Sequence, residues 1–284
     1  MTSKRIILGA LCAFAVACGG DDKPDPAARH FDYGAPVAPT YYEQSAAEQG
    51  EYMLSDGAAY RTSDDPLVAE SAGGSLPSLP DSLGATMFGG DGGVTYAAPG
   101  VSKGFAATLG GLTVSPQALG DGFDDPTCVT LVPGRITYDH CTMTGLDVMS
   151  IGVNGWMGRT GDVIAWDLDT TMTMADVDFT MTTVMAASGS VTITASTIAG
   201  QARTDISASG NADGMRFRMG YTTLADLDLT YQPEPAFCVT GGTLEVRRVW
   251  TERMAGMPTD GEYADQGVKL TWTGCGVVQV ARSR

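Results

Sequence analysis

Ile164-Ala165-Trp166-Asp167-Leu168-Asp169 is the stretch that decides the fold. Ile164, Trp166 and Leu168 point one way and Ala165, Asp167 and Asp169 the other, the period of two that marks a strand with one buried face. The same alternation returns in Met215, Phe217, Met219 and Tyr221 against Arg216 and Arg218. It returns again in Leu244, Val246 and Trp250 against Thr243, Glu245 and Arg247. Turn signals punctuate the region at Gly158-Arg159-Thr160-Gly161, Ser188-Gly189, Ala199-Gly200 and Asn211-Ala212-Asp213-Gly214. Connections this short join sheet neighbours. Residues 128–284 are therefore expected to form an all-β antiparallel meander, built as a curved sheet, a sandwich or a half-barrel. The phase slips between Met172 and Val177, from even-numbered apolar positions to odd ones. Because a one-residue shift flips every side chain, a bulge or a turn is expected there.

Cysteines bracket this region at both ends. Cys128-Val129-Thr130 opens a segment that closes Thr137-Tyr138-Asp139-His140-Cys141, and Cys238-Val239-Thr240 opens one that closes Thr271-Trp272-Thr273-Gly274-Cys275. With Gly134-Arg135 at the centre of a two-residue turn, Cys128 falls opposite Cys141 at a spacing of ~4.5 Å between Cα atoms, which a disulfide tolerates. Pro133 fits this register badly, since it would occupy a hydrogen-bonded position without an N–H. The expected pairing is Cys128–Cys141 and Cys238–Cys275. A zinc site with His140 is the rival, but the chain has no C-x-x-C spacing to support it.

At the start of the chain Lys4 and Arg5 precede a short apolar run, Ile6 to Ala17, which is well under the ~20 residues of a membrane-spanning helix. The run ends Ala15-Val16-Ala17-Cys18, followed by Gly19-Gly20-Asp21-Asp22. This segment resembles bacterial lipoprotein precursors, in which a small residue precedes an invariant cysteine, although Ala15 stands where that family usually has Leu. The resemblance implies that residues 1–17 are a signal peptide. It implies that Cys18 becomes the lipid-bearing N-terminus, and that Gly19 directs the protein to the outer membrane. An ordinary signal peptidase would accept Ala15-Val16-Ala17 and cut the same bond. Cysteine arithmetic favours the lipid: of six cysteines Cys12 leaves with the signal, four pair, and Cys18 is left over.

The formal net charge is −16 with charged residues at only 18%. Nucleic acid needs a basic footprint, so no nucleic-acid partner is expected, and the membrane is expected to be met through the anchor alone. Glycine, at 37 residues, is well above the usual share of ~7%, as many turns would require. Residues 18–39, rich in Asp and Pro, read as a disordered tether containing His30. Residues 40–127 read as a Gly/Pro-rich extension. Within it, Thr40-Tyr41-Tyr42-Glu43 has the form of a capping box, so one short helix is expected near 41–56. Two short strand candidates fall at Gly93–Ala97 and Leu109–Val114, and the rest of 71–122 reads as loop.

The chemistry on offer is thin. His140 is the lone histidine of the strand region, and alternation in a strand would put Asp139 on the opposite face, unable to orient its ring. No Gly-x-Ser-x-Gly elbow occurs, so no catalytic residue is assigned and neither enzyme activity nor a cofactor is expected. Asp167 and Asp169, Asp176 and Asp178, and Asp226 and Asp228 each place two carboxylates on one face. Aligned on neighbouring strands they would suit Ca²⁺, against the plainer reading of a solvated polar face. A transmembrane barrel is disfavoured because Arg216, Arg218, Arg247 and Arg248 interrupt the apolar bands. The expectation is a non-enzymatic, structural or interaction-type lipoprotein of the cell envelope. The alternative is a carrier of an amphipathic ligand, with Met149, Met157, Met172, Met174, Met181, Met185, Met215 and Met219 as an adaptable lining. That alternative is an analogy with curved-sheet proteins that shuttle lipids or lipoproteins across the bacterial envelope.

Overall fold

A computed structural model describes residues 25–63, 66–88, 123–146, 149–176, 179–212, 215–253 and 264–283. Ten strands form one open antiparallel sheet in strict meander order, each strand paired with its sequence neighbour. They are β1 (Val129–Val132), β2 (Arg135–Leu146), β3 (Met149–Thr160), β4 (Val163–Asp176), β5 (Phe179–Ile193), β6 (Thr197–Ala212), β7 (Met215–Gln232), β8 (Cys238–Glu252), β9 (Gln266–Gly274) and β10 (Val277–Arg282). Two helices, α1 (Tyr41–Thr62) and α2 (Pro66–Phe88), lie on one face. The expected phase change after Met172 is a hairpin connection, since Asp176 pairs with Phe179. At the other end of β4 the connection to β3 is equally short, with Thr160 opposite Val163.

Helix α1 begins as its sequence requires. Thr40 Oγ1 accepts from the Glu43 backbone N–H while Glu43 accepts from the Thr40 N–H at 2.7 Å, a complete capping box. The helix outruns the expected 41–56 because its far end is also held. Arg159 on β3 donates to the carbonyls of Tyr60, Arg61 and Ser63, the orphan acceptors of the last turn. Between these ends α1 crosses the strands. Glu43 binds Arg282 at the end of β10, Glu51 accepts from Trp272 Nε1 of β9 at 2.6 Å, and Gly57 lies against Ile193 of β5.

Helix α2 corrects the expectation that Ser71 onward is loop. It contains Pro77 and Pro80, each of which removes a helical N–H. What holds it is burial: Leu76, Leu79 and Leu83, at helical spacing, are fully inaccessible and join the main core with Ile164, Trp166, Ile193, Ile198, Leu227 and Leu244. The Gly93–Ala97 and Leu109–Val114 candidates lie outside the described residues.

Two of the expected turns are strand interior. Gly189 sits mid-β5, opposite both Trp166 and Ala202, and Gly200 sits in β6 opposite Val191. The real β5–β6 turn lies at Thr194–Thr197, closed by a 2.9 Å bond from the Thr194 N–H to the Thr197 carbonyl. Glycine at 189 serves packing. A Cβ there would enter the Trp166 ring and stand 2.7 Å from the Gln201 carbonyl oxygen.

The stretch expected to be a loose tether is attached from Asp25 on. It crosses the helix-free face: Asp25 binds Arg203 of β6, the carbonyls of Ala27 and Arg29 accept from Arg247 of β8, and Tyr33 donates to Glu245 at 2.9 Å. Val37 then pairs with Val280 of β10 through two backbone bonds of 2.9 Å, and the chain turns over that edge into α1. The otherwise bare edge strand is thereby covered. Tyr33 is held firmly protonated by burial and by its bond to Glu245.

Candidate functional site

Strand β8 carries Leu244, Val246 and Trp250 to the helix-bearing face, and the period of two puts Arg248 there as well. Arg248 is 1% exposed. It belongs to a polar row crossing β6 to β9, in which Thr204 pairs with Thr223, Thr223 with Arg248 and Arg248 with Gln266. Helix α2 lies over the row. Thr204 Oγ1 donates to the Pro77 carbonyl at 3.4 Å, and Gly84 packs so closely that an added Cβ would stand 3.0 Å from Thr223 Cγ2 and 3.3 Å from Arg248 Nη2.

The guanidinium lies near two aromatic rings, with Cζ 4.9 Å from the Tyr221 ring centre and 5.2 Å from that of Phe88. Tyr221 donates its hydroxyl to Asp81 of α2 at 3.0 Å. Burial pushes the Asp81 carboxyl above the usual carboxylate range, against the opposing pull of Arg248 and of the Tyr221 hydrogen bond. No ion pair within 4.0 Å joins Arg248 to any described carboxylate. Its Nε and Nη2 are buried without a hydrogen-bond partner, as are Ser82 Oγ, Thr183 Oγ1 and Thr223 Oγ1. Of these only Thr223 is a register partner of Arg248, and two neighbouring side chains with unpaired polar atoms in a closed interior are unusual, since buried polar atoms are nearly always paired. Chemically the arrangement is an enclosed cation beside two aromatic rings and a threonine hydroxyl, with no nucleophile–base pair among the described residues.

The expected cysteine pairs are both present, Cys128–Cys141 with Cα atoms 5.2 Å apart and Cys238–Cys275 at 5.6 Å. The register around the first differs from the expectation. Val132 pairs with Arg135, so the turn centre is Pro133-Gly134, with Gly134 at φ 74° as the third residue of such a turn needs. This removes the difficulty with Pro133. The shift is absorbed on β2, where Tyr138 faces Gly155 and Cys141 faces Val153, leaving Asp139 and His140 as two residues against Asn154. The bulge also corrects the reading of His140. Its φ of 52° breaks the alternation, and its Nδ1 lies 2.8 Å from Asp139 Oδ1, both side chains being exposed.

The Asp pairs are kept apart. Asp167, Asp169 and Asp176 are on β4 while Asp226 and Asp228 are on β7, with β5 and β6 between them. That separation is about 14 Å at the normal strand spacing, too far for one ion. Asp226 is already engaged by Arg247 and by Gln201 Nε2 at 2.7 Å. Asp178 and Cys18 lie outside the described residues. The methionines do not form one lining either. Met157 belongs to the main core, Met149, Met172 and Met174 to a cluster by the first disulfide, and Met185 and Met219 to a third beside Tyr221 and Trp250, while Met215 is 60% exposed. His30 is exposed beside Asp32.

The sequence reading counted Arg248 only as an interruption of an apolar band and gave Asp81 no role. The signal for Arg248 was present in its even-numbered position between Val246 and Trp250. Comparisons of this chain with protein-family models, with curated proteins and with solved structures find no match.

Proposed function

We propose that this chain is an exported lipoprotein of the cell envelope, anchored through Cys18 at the outer membrane, with a structural or binding role and no enzymatic one. One observation carries the reading: with Cys128–Cys141 and Cys238–Cys275 bonded, Cys18 is the only cysteine left beyond the apolar leader. Paired disulfides suit an oxidising compartment, where a spare exposed thiol is a liability and an acylated one is not. The anchor sits close to the body. Asp25 stands seven positions after Cys18 and already binds Arg203, so a lipid on Cys18 would lie within about 25 Å of the helix-free face.

The test is membrane fractionation of cells expressing the chain and its Cys18→Ser variant. The wild type is expected in the membrane fraction, released by detergent and not by high salt, with the variant soluble. A wild-type protein that is itself soluble after export overturns the anchor.

A further inference from the structure

Four methionines meet across three adjacent strands. Met174 of β4 stands opposite Met149 of β3 on one side and Met181 of β5 on the other, and Met172 lies two residues back along β4. The period of two puts all four on the face that carries Ile164 and Trp166, with direct cross-strand Cβ spacings of about 4.5–5.5 Å. Met149, Met172 and Met174 pack in one cluster with the Cys128–Cys141 disulfide.

We infer that this row is a binding site for a soft monovalent cation, copper(I) in chemical class, held by the thioether sulfurs. Thioethers are uncharged, polarisable donors that select such ions over zinc or calcium. Among the described residues no group of three or more His, Cys, Asp or Glu offers a harder alternative. Such a site needs no preformed cavity. Sulfurs in ordinary packing contact lie about 4 Å apart. A trigonal ion with metal–sulfur bonds of about 2.3 Å needs them at that same spacing. Nor is the row sealed: Met172 and Met181 are buried, but Met149 and Met174 are half-buried, which gives an ion a way in past flexible side chains.

Thr183 points the same way. It pairs with Met172, shares its face and stands two residues along from Met181. It is 2% exposed, and its Oγ1 has no hydrogen-bond partner among the described residues. Buried hydroxyls are nearly always paired, and a cation seated beside Met172 and Met181 would give this oxygen a partner. Neither the lipid anchor nor export is needed for such a site.

The experiment uses the full chain with Cys12→Ser and Cys18→Ser, so that no free thiol competes. It is titrated in chloride-free buffer with silver nitrate, a redox-inert probe of the same softness, and with zinc sulfate as the harder control. Calorimetry should show one silver ion bound per chain with micromolar or tighter affinity, at least tenfold tighter than zinc. Leucine is close to methionine in volume and keeps the packing. Met174→Leu and Met149→Leu should each weaken silver binding at least tenfold, whereas Met215→Leu, which removes a 60% exposed methionine outside the row, should leave it unchanged. Methyl NMR of the protein with all its methionines needs no variant: one equivalent of silver should shift a discrete set of three or four methionine signals. The site is overturned if silver does not bind at micromolar concentration, if zinc binds as tightly, or if a folded Met174→Leu or Met149→Leu variant keeps full affinity. It is equally overturned if Met215→Leu loses as much, or if the NMR shifts fall on all the methionines or on none.

Discussion

Among the described residues, Asp81 and Arg248 are the charged side chains buried between the second helix and the sheet, and they set the pH behaviour of that region. Because burial raises the Asp81 carboxyl in the folded state, the native protein binds a proton there that the unfolded chain has already released. Stability from this group is therefore highest in acid and falls as pH rises through the ordinary carboxylate range of about 4 and beyond. Asp81→Asn keeps an acceptor for Tyr221 and carries no charge at any pH. The variant should melt higher than the wild type at pH 7.5, with the gap closing as pH is lowered toward 4. A gap that is constant, or widest in acid, would contradict the account. Neither residue's role could be read from composition. Arg248 betrays itself only through its phase in β8, and Asp81 sits in a segment whose helix is itself concealed.

At the scale of elements, what was legible in the sequence is what local pattern determines. The alternation through Ile164, Trp166 and Leu168 puts Ile164 and Trp166 in the core, and the capping box at Thr40 starts α1 where it should. Helix α2 was hidden because Pro77, Pro80 and the flanking glycines argue against a helix, while the compensating burial of Leu76, Leu79 and Leu83 is a tertiary effect. The misread turns have the same origin. Gly189 signals a turn by composition, yet it is there to admit the Trp166 ring from the paired strand. Gly189→Ala should accordingly destabilise the protein by about 1–3 kcal/mol through overpacking. Denaturant unfolding would show this as a lower midpoint with an unchanged slope, and a variant as stable as the wild type would mean that β5 and β4 do not meet as described. The bulge at Asp139-His140 was invisible for a related reason. A hairpin register counted from the turn alone cannot foresee a one-residue excess that is set by the next strand.

On the scale of the whole molecule, the sheet has two differently used faces. One is filled by α1 and α2 over a continuous core, and the other carries Arg203, Asp226, Glu245 and Arg247 beneath the segment from Asp25 to Tyr33. That segment was expected to be a tether because Asp and Pro dominate it, but its attachment is made by backbone carbonyls and by charges on distant strands, which no local pattern encodes. The consequence is a short leash between the proposed anchor and a folded body. Peptide mapping by mass spectrometry under non-reducing conditions, on protein isolated from the cell envelope, tests anchor and oxidation together. It should find Cys18 as an acylated N-terminal residue, with Cys128 joined to Cys141 and Cys238 to Cys275. An unmodified, alkylatable Cys18 in the mature protein would contradict the account.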